Sequence, residues 1–185
     1  KVENMRLQHS ELVGAGASEK NDPPAPAAEE AVVTVAAAEK KYGFVAVCMG
    51  KGISDAFTDL GTDQLIFGGQ TMNPSTQDIL DAINRTPSEI VFILPNNKNI
   101  CMVAQQAAKL STEKKAIVIP TVSIPQGMAV LMNFDPEADT EQLVTNMTDA
   151  IAAVTSMAVT FAVRDTEIDN TKIRKGQSIG MINGK

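Results

Sequence analysis

Two amide-rich runs, each directly after a short apolar segment, are the residues of this sequence best suited to hold a ligand. The first, GGQTMNPST, spans residues 68–76, and the second, LPNNKN, spans residues 94–99. An amide side chain offers both N–H donors and a carbonyl acceptor, but it is a poor acid or base. The two runs therefore predict a surface that binds a molecule rather than one that reacts with it.

These runs would meet at one edge of a parallel sheet. Both follow segments typical of buried strands, and in an open parallel sheet ligands bind at the carboxyl ends of the strands. Residues 49–52 and 121–127 follow two further predicted strands and should lie at the same edge. The candidate binding residues are Gly68, Gly69, Gln70, Thr71, Asn73, Ser75, Asn96, Asn97, Lys98, Asn99 and Gln126.

A purely architectural role is the alternative for these amides. Asn and Ser favour helix caps and turns, and for any single residue of the set we prefer that interpretation. For the group as a whole, a functional surface and a scaffold are both open hypotheses. The sequence GKG at residues 50–52 lacks the full GxxxxGK[ST] and GxGxxG patterns, so it predicts an ordinary strand-to-helix turn.

Residue types that would support catalysis or metal binding are sparse. His9 is the only histidine, Cys48 and Cys101 have no CxxC spacing, and the acids of residues 165–169 are typical of a solvated turn. We therefore predict neither catalytic residues nor a metal site. The net charge of −6 argues against a nucleic-acid partner.

The expected compartment is the cytoplasm. Buried, reduced thiols are the expected state of both cysteines, which fits a reducing compartment. The sequence shows neither an apolar run of membrane-spanning length nor a signal-peptide pattern.

The fold class predicted is α/β. Apolar runs at residues 44–48, 65–67, 90–94 and 116–119 alternate with stripes of helical period. Residues 43–135 should thus form a four-stranded parallel sheet with helices on both faces. Residues 13–42, rich in Pro, Ala and acids, predict a linker that is disordered in part.

Residues 136–185 predict a different arrangement. Asp139 with Gln142 should cap a helix, and residues 159–163 and 177–182 should then form an antiparallel hairpin. We expect this segment to be the incomplete start of a second α+β subdomain. An Asn-Gly turn signal at residues 183–184 suggests an excised piece of a longer protein.

The amide runs also carry a family resemblance, together with PTVSIPQG at residues 120–127 and VRDTEID at residues 163–169. They resemble the carboxy-terminal region of the ATP-binding subunit of bacterial fatty acid kinase. The amino-terminal domain of that subunit is similar to the L-type domain of dihydroxyacetone kinase. VENMRLQH at residues 2–9 resembles the end of the family's middle domain, so residues 1–12 are expected to belong there.

The resemblance implies a role within a larger transferase of lipid metabolism. That kinase phosphorylates a fatty acid presented by a separate fatty-acid-binding protein, using ATP and magnesium in a domain to which no stretch of this chain corresponds. The chain is thus expected to be a non-catalytic docking or regulatory domain without a cofactor of its own. The expected partner is the fatty-acid-binding protein, with homodimerisation through the parent protein. The alternative is a small-molecule-binding sensor domain that uses the amide-lined crevice.

Overall fold

Short apolar strands alternate with amphipathic helices in the first part of the chain. The computed structural model describes residues 34–68, 73–168 and 171–183. The alternating elements are β1 (Lys40–Cys48), α1 (Lys51–Asp59), β2 (Gln64–Phe67), α2 (Thr76–Arg85), β3 (Ser88–Leu94), α3 (Lys98–Leu110), β4 (Lys115–Val118) and α4 (Ile124–Met132). The first strand begins at Lys40, so it starts within the segment assigned to a linker.

The four strands form one parallel sheet in the order β2-β1-β3-β4. Val45 of β1 lies opposite Gln64 on one side and Ile93 on the other, and β3 pairs with β4 through Val91 and Ala116. The predicted α/β class with a four-stranded parallel sheet is confirmed. Strands flanked by partners on both edges need apolar side chains on both faces, and the run from Tyr42 to Cys48 is buried throughout.

Successive residues of β1 point into two separate cores because side chains alternate across a strand. Phe44 and Ala46 pack with residues of α1, α4 and a later helix, α5 (Thr140–Ala153). Val45 and Val47 pack with residues of α2 and α3 on the other face. Helices therefore cover both faces of the sheet, as the sequence predicted.

Helix α5 packs on the core of the parallel sheet. Asp139 caps it by accepting a hydrogen bond from the Gln142 backbone N–H at 2.8 Å, as its sequence predicts. Leu143 and Met147 are fully buried in the core that also contains Phe44. The division of the chain at residue 136 stays a prediction about domain organisation, while α5 itself shares a core with the sheet.

The last part of the chain forms short antiparallel strands. Strand β5 (Met157–Phe161) pairs with β8 (Ser178–Ile182), and β6 (Thr166–Ile168) pairs with β7 (Thr171–Ile173). This confirms the predicted antiparallel hairpin and adds a second, shorter one within the segment predicted as turn-rich. We call the β5–β8 pair the ribbon.

The base of the ribbon is tied to the amino end of α4. The hydroxyl oxygens of Ser123 and Ser156 lie 2.6 Å apart, and the Ser156 backbone N–H donates to Asn183 Oδ1 at 2.8 Å. Since α4 follows β4, its amino end lies at the carboxyl edge of the sheet. The ribbon therefore emerges at the same edge as the candidate binding residues.

Candidate binding surface at the carboxyl edge of the sheet

The strand order creates a topological switch point between β1 and β3. The chain leaves β1 toward β2 on one side and leaves β3 toward β4 on the other. In open α/β sheets, loops that diverge in this way leave a crevice at the carboxyl ends of the two strands. Here the crevice lies between Met49 and Gly50, after β1, and the loop at residues 95–97, after β3.

Asn96 occupies this switch point and joins three parts of the sheet edge. Its Nδ2 donates to the Val47 carbonyl at 3.0 Å, and its backbone N–H donates to Thr121 Oγ1 at 3.0 Å. The residue has φ of 54°, a left-handed conformation that asparagine tolerates better than most residues. With a side chain that is almost fully buried, Asn96 is a scaffold residue here.

Gly127 provides the space that the Asn96 side chain occupies. A Cβ at position 127 would lie 2.2 Å from Asn96 Oδ1, so the first turn of α4 packs directly on this amide. Within the part of the chain that the structure describes, the buried Oδ1 has no hydrogen-bond donor. Gln126 Oε1 accepts from the Val122 backbone N–H at 2.7 Å and closes the same loop. Gln126 is therefore also a buried scaffold residue.

The amides at the start of α3 remain at the surface. Asn97 is the N-cap, and its Oδ1 accepts from the Asn99 backbone N–H at 2.9 Å. Asn97 is half-buried, while Lys98 and Asn99 are exposed. These residues combine a capping role with accessible polar groups.

The start of α2 carries a reciprocal cap. Ser75 Oγ accepts from the Asp78 backbone N–H at 3.1 Å, and Asp78 Oδ2 accepts from the Ser75 backbone N–H at 2.8 Å. The Ser75 hydroxyl and then its backbone N–H hold the pKa of Asp78 below its usual value. Asn73 is exposed just before this cap.

The remaining candidates differ in how far they can be placed. Gly68 is half-buried, and its backbone N–H donates to the Cys48 carbonyl at 3.1 Å, which extends the pairing of β2 with β1. Gly69, Gln70 and Thr71 lie outside the described residues.

Exposed apolar side chains at this edge are the feature that sequence reasoning missed. Met49 is 59% exposed, Phe67 70%, Met102 78% and Val122 47%. Met49 follows β1, Phe67 ends β2, Met102 lies in the second turn of α3, and Val122 follows β4. The prediction that the whole run at residues 65–67 is buried is wrong for Phe67, because β2 is an edge strand and Phe67 is its last residue.

The two cysteines are free thiols with chemically quiet surroundings. Burial raises the pKa of both the Cys48 and the Cys101 thiol, which keeps them protonated near neutral pH. Cys101 Sγ donates to the carbonyl oxygens of Asn97 and Thr121 at 3.4 and 3.7 Å. Both thiols therefore contribute to packing between loops rather than to nucleophilic chemistry.

Metal binding and membrane insertion were both considered for residues 34–68, 73–168 and 171–183. They contain no group of three or more His, Cys, Asp or Glu side chains placed to hold a metal ion. Their helices include none with the length and apolar character required to cross a membrane.

Comparison with known proteins identifies the family. The sequence model for the C-terminal region of FakA-like fatty acid kinase proteins matches residues 43–185. The chain belongs to this family. The resemblance drawn from the amide runs is thereby confirmed.

The relatives are much longer than this chain. Protein YloV of Bacillus subtilis is 44% identical over 184 residues, which cover 100% of the chain and 31% of the relative. An uncharacterized protein of Staphylococcus haemolyticus is 45% identical over 185 residues, and one of Staphylococcus aureus strain USA300 is 41% identical. Each match covers 100% of the chain and 32% or 31% of the relative, respectively. The chain thus spans about a third of the length of these curated relatives and corresponds to a region of a larger protein.

Proposed function

We propose that this chain is a docking domain of a fatty acid kinase-like protein, and that it recruits the protein that presents the fatty acid. Family membership supports the kinase context. The docking role goes further and is supported by the chemistry of the carboxyl edge of the sheet.

The exposed apolar residues at that edge are the observation that carries the proposal. Met49 and Phe67 lie on neighbouring strand ends, since Phe67 is the register partner of Cys48. Exposed apolar groups rimmed by polar groups are typical of protein interaction surfaces, and methionine adapts readily to a partner's shape. Exposed Asn73 and Asn99 provide such polar groups at this edge.

The scaffold beneath this surface favours a preformed interface. Buried Asn96 ties β1, β3 and the loop after β4 together, and Asn97 fixes the start of α3. Loops held in this way lose little conformational freedom on binding, which favours affinity. Amide and methionine side chains are poor proton donors and acceptors, so the surface is better suited to recognition than to acid–base catalysis.

Isothermal titration calorimetry with a fatty-acid-loaded binding protein tests the proposal. We expect Phe67→Ala and Met49→Ala each to weaken binding by about tenfold, equivalent to about 1.4 kcal/mol, as expected for central interface residues. Both positions are exposed, so thermal melts of the variants should match the wild type within about 0.5 kcal/mol.

Met132→Ala and Leu110→Ala are the matched controls. Both residues are exposed apolar side chains, but they end α4 and α3 at the opposite edge of the sheet. Their replacement should leave the affinity unchanged. Absence of binding by the wild-type chain, or equal weakening by the control variants, would contradict the docking role.

A further inference from the structure

One face of the ribbon is apolar and uncovered. Antiparallel register places Met157 opposite Ile182, Val159 opposite Gly180 and Phe161 opposite Ser178, so these side chains share a face. Met157 and Val159 are each 76% exposed, Phe161 65% and Ile182 52%. The face contains no charged residue.

Gly180 leaves a gap at the centre of this face. A Cβ at position 180 would meet no atom within 4 Å in the part of the chain that the structure describes. Glycine in the interior of a strand often marks a point at which another backbone approaches closely. Together with the apolar side chains around it, the gap is shaped to receive another element.

The ribbon also requires support that the described part of this chain does not supply. A two-stranded hairpin is marginal in water and needs a third strand or a packed helix for stability. The ribbon strands pair with each other, and none packs extensively on the sheet or on a helix among the described residues. The contacts of Ser156 and Asn183 secure the ribbon only at its base.

We propose that this face packs against another segment of the longer polypeptide in which the chain resides. The matched relatives are about three times as long as the chain, so covalently attached sequence is available to cover it. A face without charge is typical of permanent interfaces, whereas transient partners are met by more polar surfaces. The proposal does not depend on the docking function of the sheet edge.

Hydrogen–deuterium exchange provides the first test. It is measured on the 185-residue chain and on a chimaera of full-length Protein YloV in which this chain replaces its 44% identical counterpart. Amides of β5 and β8 should exchange at least about tenfold more slowly in the chimaera, because packing raises the cost of local opening. Amides of β1 and β3 should be protected in both proteins and serve as the control for folding.

Gly180→Val provides the second test. In the isolated chain the added side chain meets open space, so the melting temperature should stay within about 2 °C of the wild type. In the chimaera the same change should remove at least about tenfold of the protection of β5. Thr160→Val, on the opposite face of the ribbon, is nearly isosteric and should leave that protection unchanged.

Two results would overturn the proposal. One is equal exchange of the ribbon in the isolated chain and the chimaera. The other is a dimer of the isolated chain, seen by sedimentation equilibrium, in which the ribbon is already protected, because a second copy would then cover the face. If the chimaera fails to fold, the same exchange comparison on full-length Protein YloV and its matching region decides between these outcomes.

Discussion

Asn96 shows how one amide can define the edge of a sheet. Its Nδ2 reaches the Val47 carbonyl, 49 positions away in the sequence, and its Oδ1 packs against the backbone of Gly127. A hydrogen bond from a buried amide contributes about 0.5–1.5 kcal/mol, and loss of one partner leaves the other unsatisfied. Asn96 and Gly127 should therefore act as a coupled pair.

Gly127→Ala should lower the free energy of unfolding by about 1–3 kcal/mol, because the new Cβ would overlap Asn96 Oδ1. In an Asn96→Gly background this cost should fall by at least about half, since the side chain that collides with the Cβ is gone. Glycine is the suitable replacement because it accommodates the positive φ of position 96. Urea denaturation of the four proteins in this double-mutant cycle measures the coupling.

Gly52→Ala is the control for the cycle. Gly52 lies in α1, and a Cβ there meets no described atom within 4 Å. Alanine in a helix interior is favoured over glycine by about 0.5–1 kcal/mol, so this change should be neutral or stabilising. Additive effects of the substitutions at positions 96 and 127 would show that the two residues are energetically independent.

At the scale of elements, local signals in the sequence predicted more than long-range ones did. The cap formed by Ser75 and Asp78 and the cap formed by Asp139 depend on residues three positions apart, and both are present. The four strands were predicted because buried parallel strands are continuous apolar runs. The contact of Asn96 with Gly127 was not, because it depends on how β3 and α4 meet in space.

Exposure at strand ends was equally hard to predict. The side chains of Ile66 and Phe67 are both apolar, yet Ile66 is buried and Phe67 is exposed. An apolar pattern indicates which residues can be buried, but it does not show where the covering element stops. The docking surface therefore became apparent only in the structure.

The cap of α2 should make its stability depend on pH. Hydrogen bonds from Ser75 lower the pKa of Asp78 in the folded state, so the stabilisation is present above the ordinary carboxyl pKa of about 4 and is lost as pH falls through the folded value. Asp78→Asn should cost about 1 kcal/mol or less at pH ~7, as expected for an exposed cap. The difference from the wild type, followed by urea denaturation, should shrink below pH ~4.

Ser75→Ala tests the cause of this pH dependence. The Ser75 hydroxyl lies 2.7 Å from Asp78 Oδ2 and is the largest contributor to the lowered pKa. Removing it should reduce the effect of Asp78→Asn at neutral pH. An unchanged difference between the Asp78 variants would show that the hydroxyl does not stabilise the charged carboxylate.

At the scale of the whole molecule, α5 connects the two parts that the sequence separated at residue 136. The helical stripe of α5 correctly predicted that Leu143 and Met147 face inward, and both are fully buried. The stripe could not show which surface they face, because an amphipathic pattern identifies a buried side but not its partner. In the structure that partner is the sheet face containing Phe44 and Phe92.

Leu143→Ala should therefore destabilise the parallel sheet itself. The fully buried leucine leaves a cavity in the core shared with Phe44, at a cost of about 2–5 kcal/mol. Hydrogen exchange of the β1 and β3 amides measures this loss directly, since these strands should open only on global unfolding. Thr148→Ala, at an exposed position of the same helix, should change the free energy of unfolding by about 0.5 kcal/mol or less. If residues 136–185 instead unfold as a unit of their own, Leu143→Ala will leave exchange in β1 and β3 unchanged and produce a separate early transition.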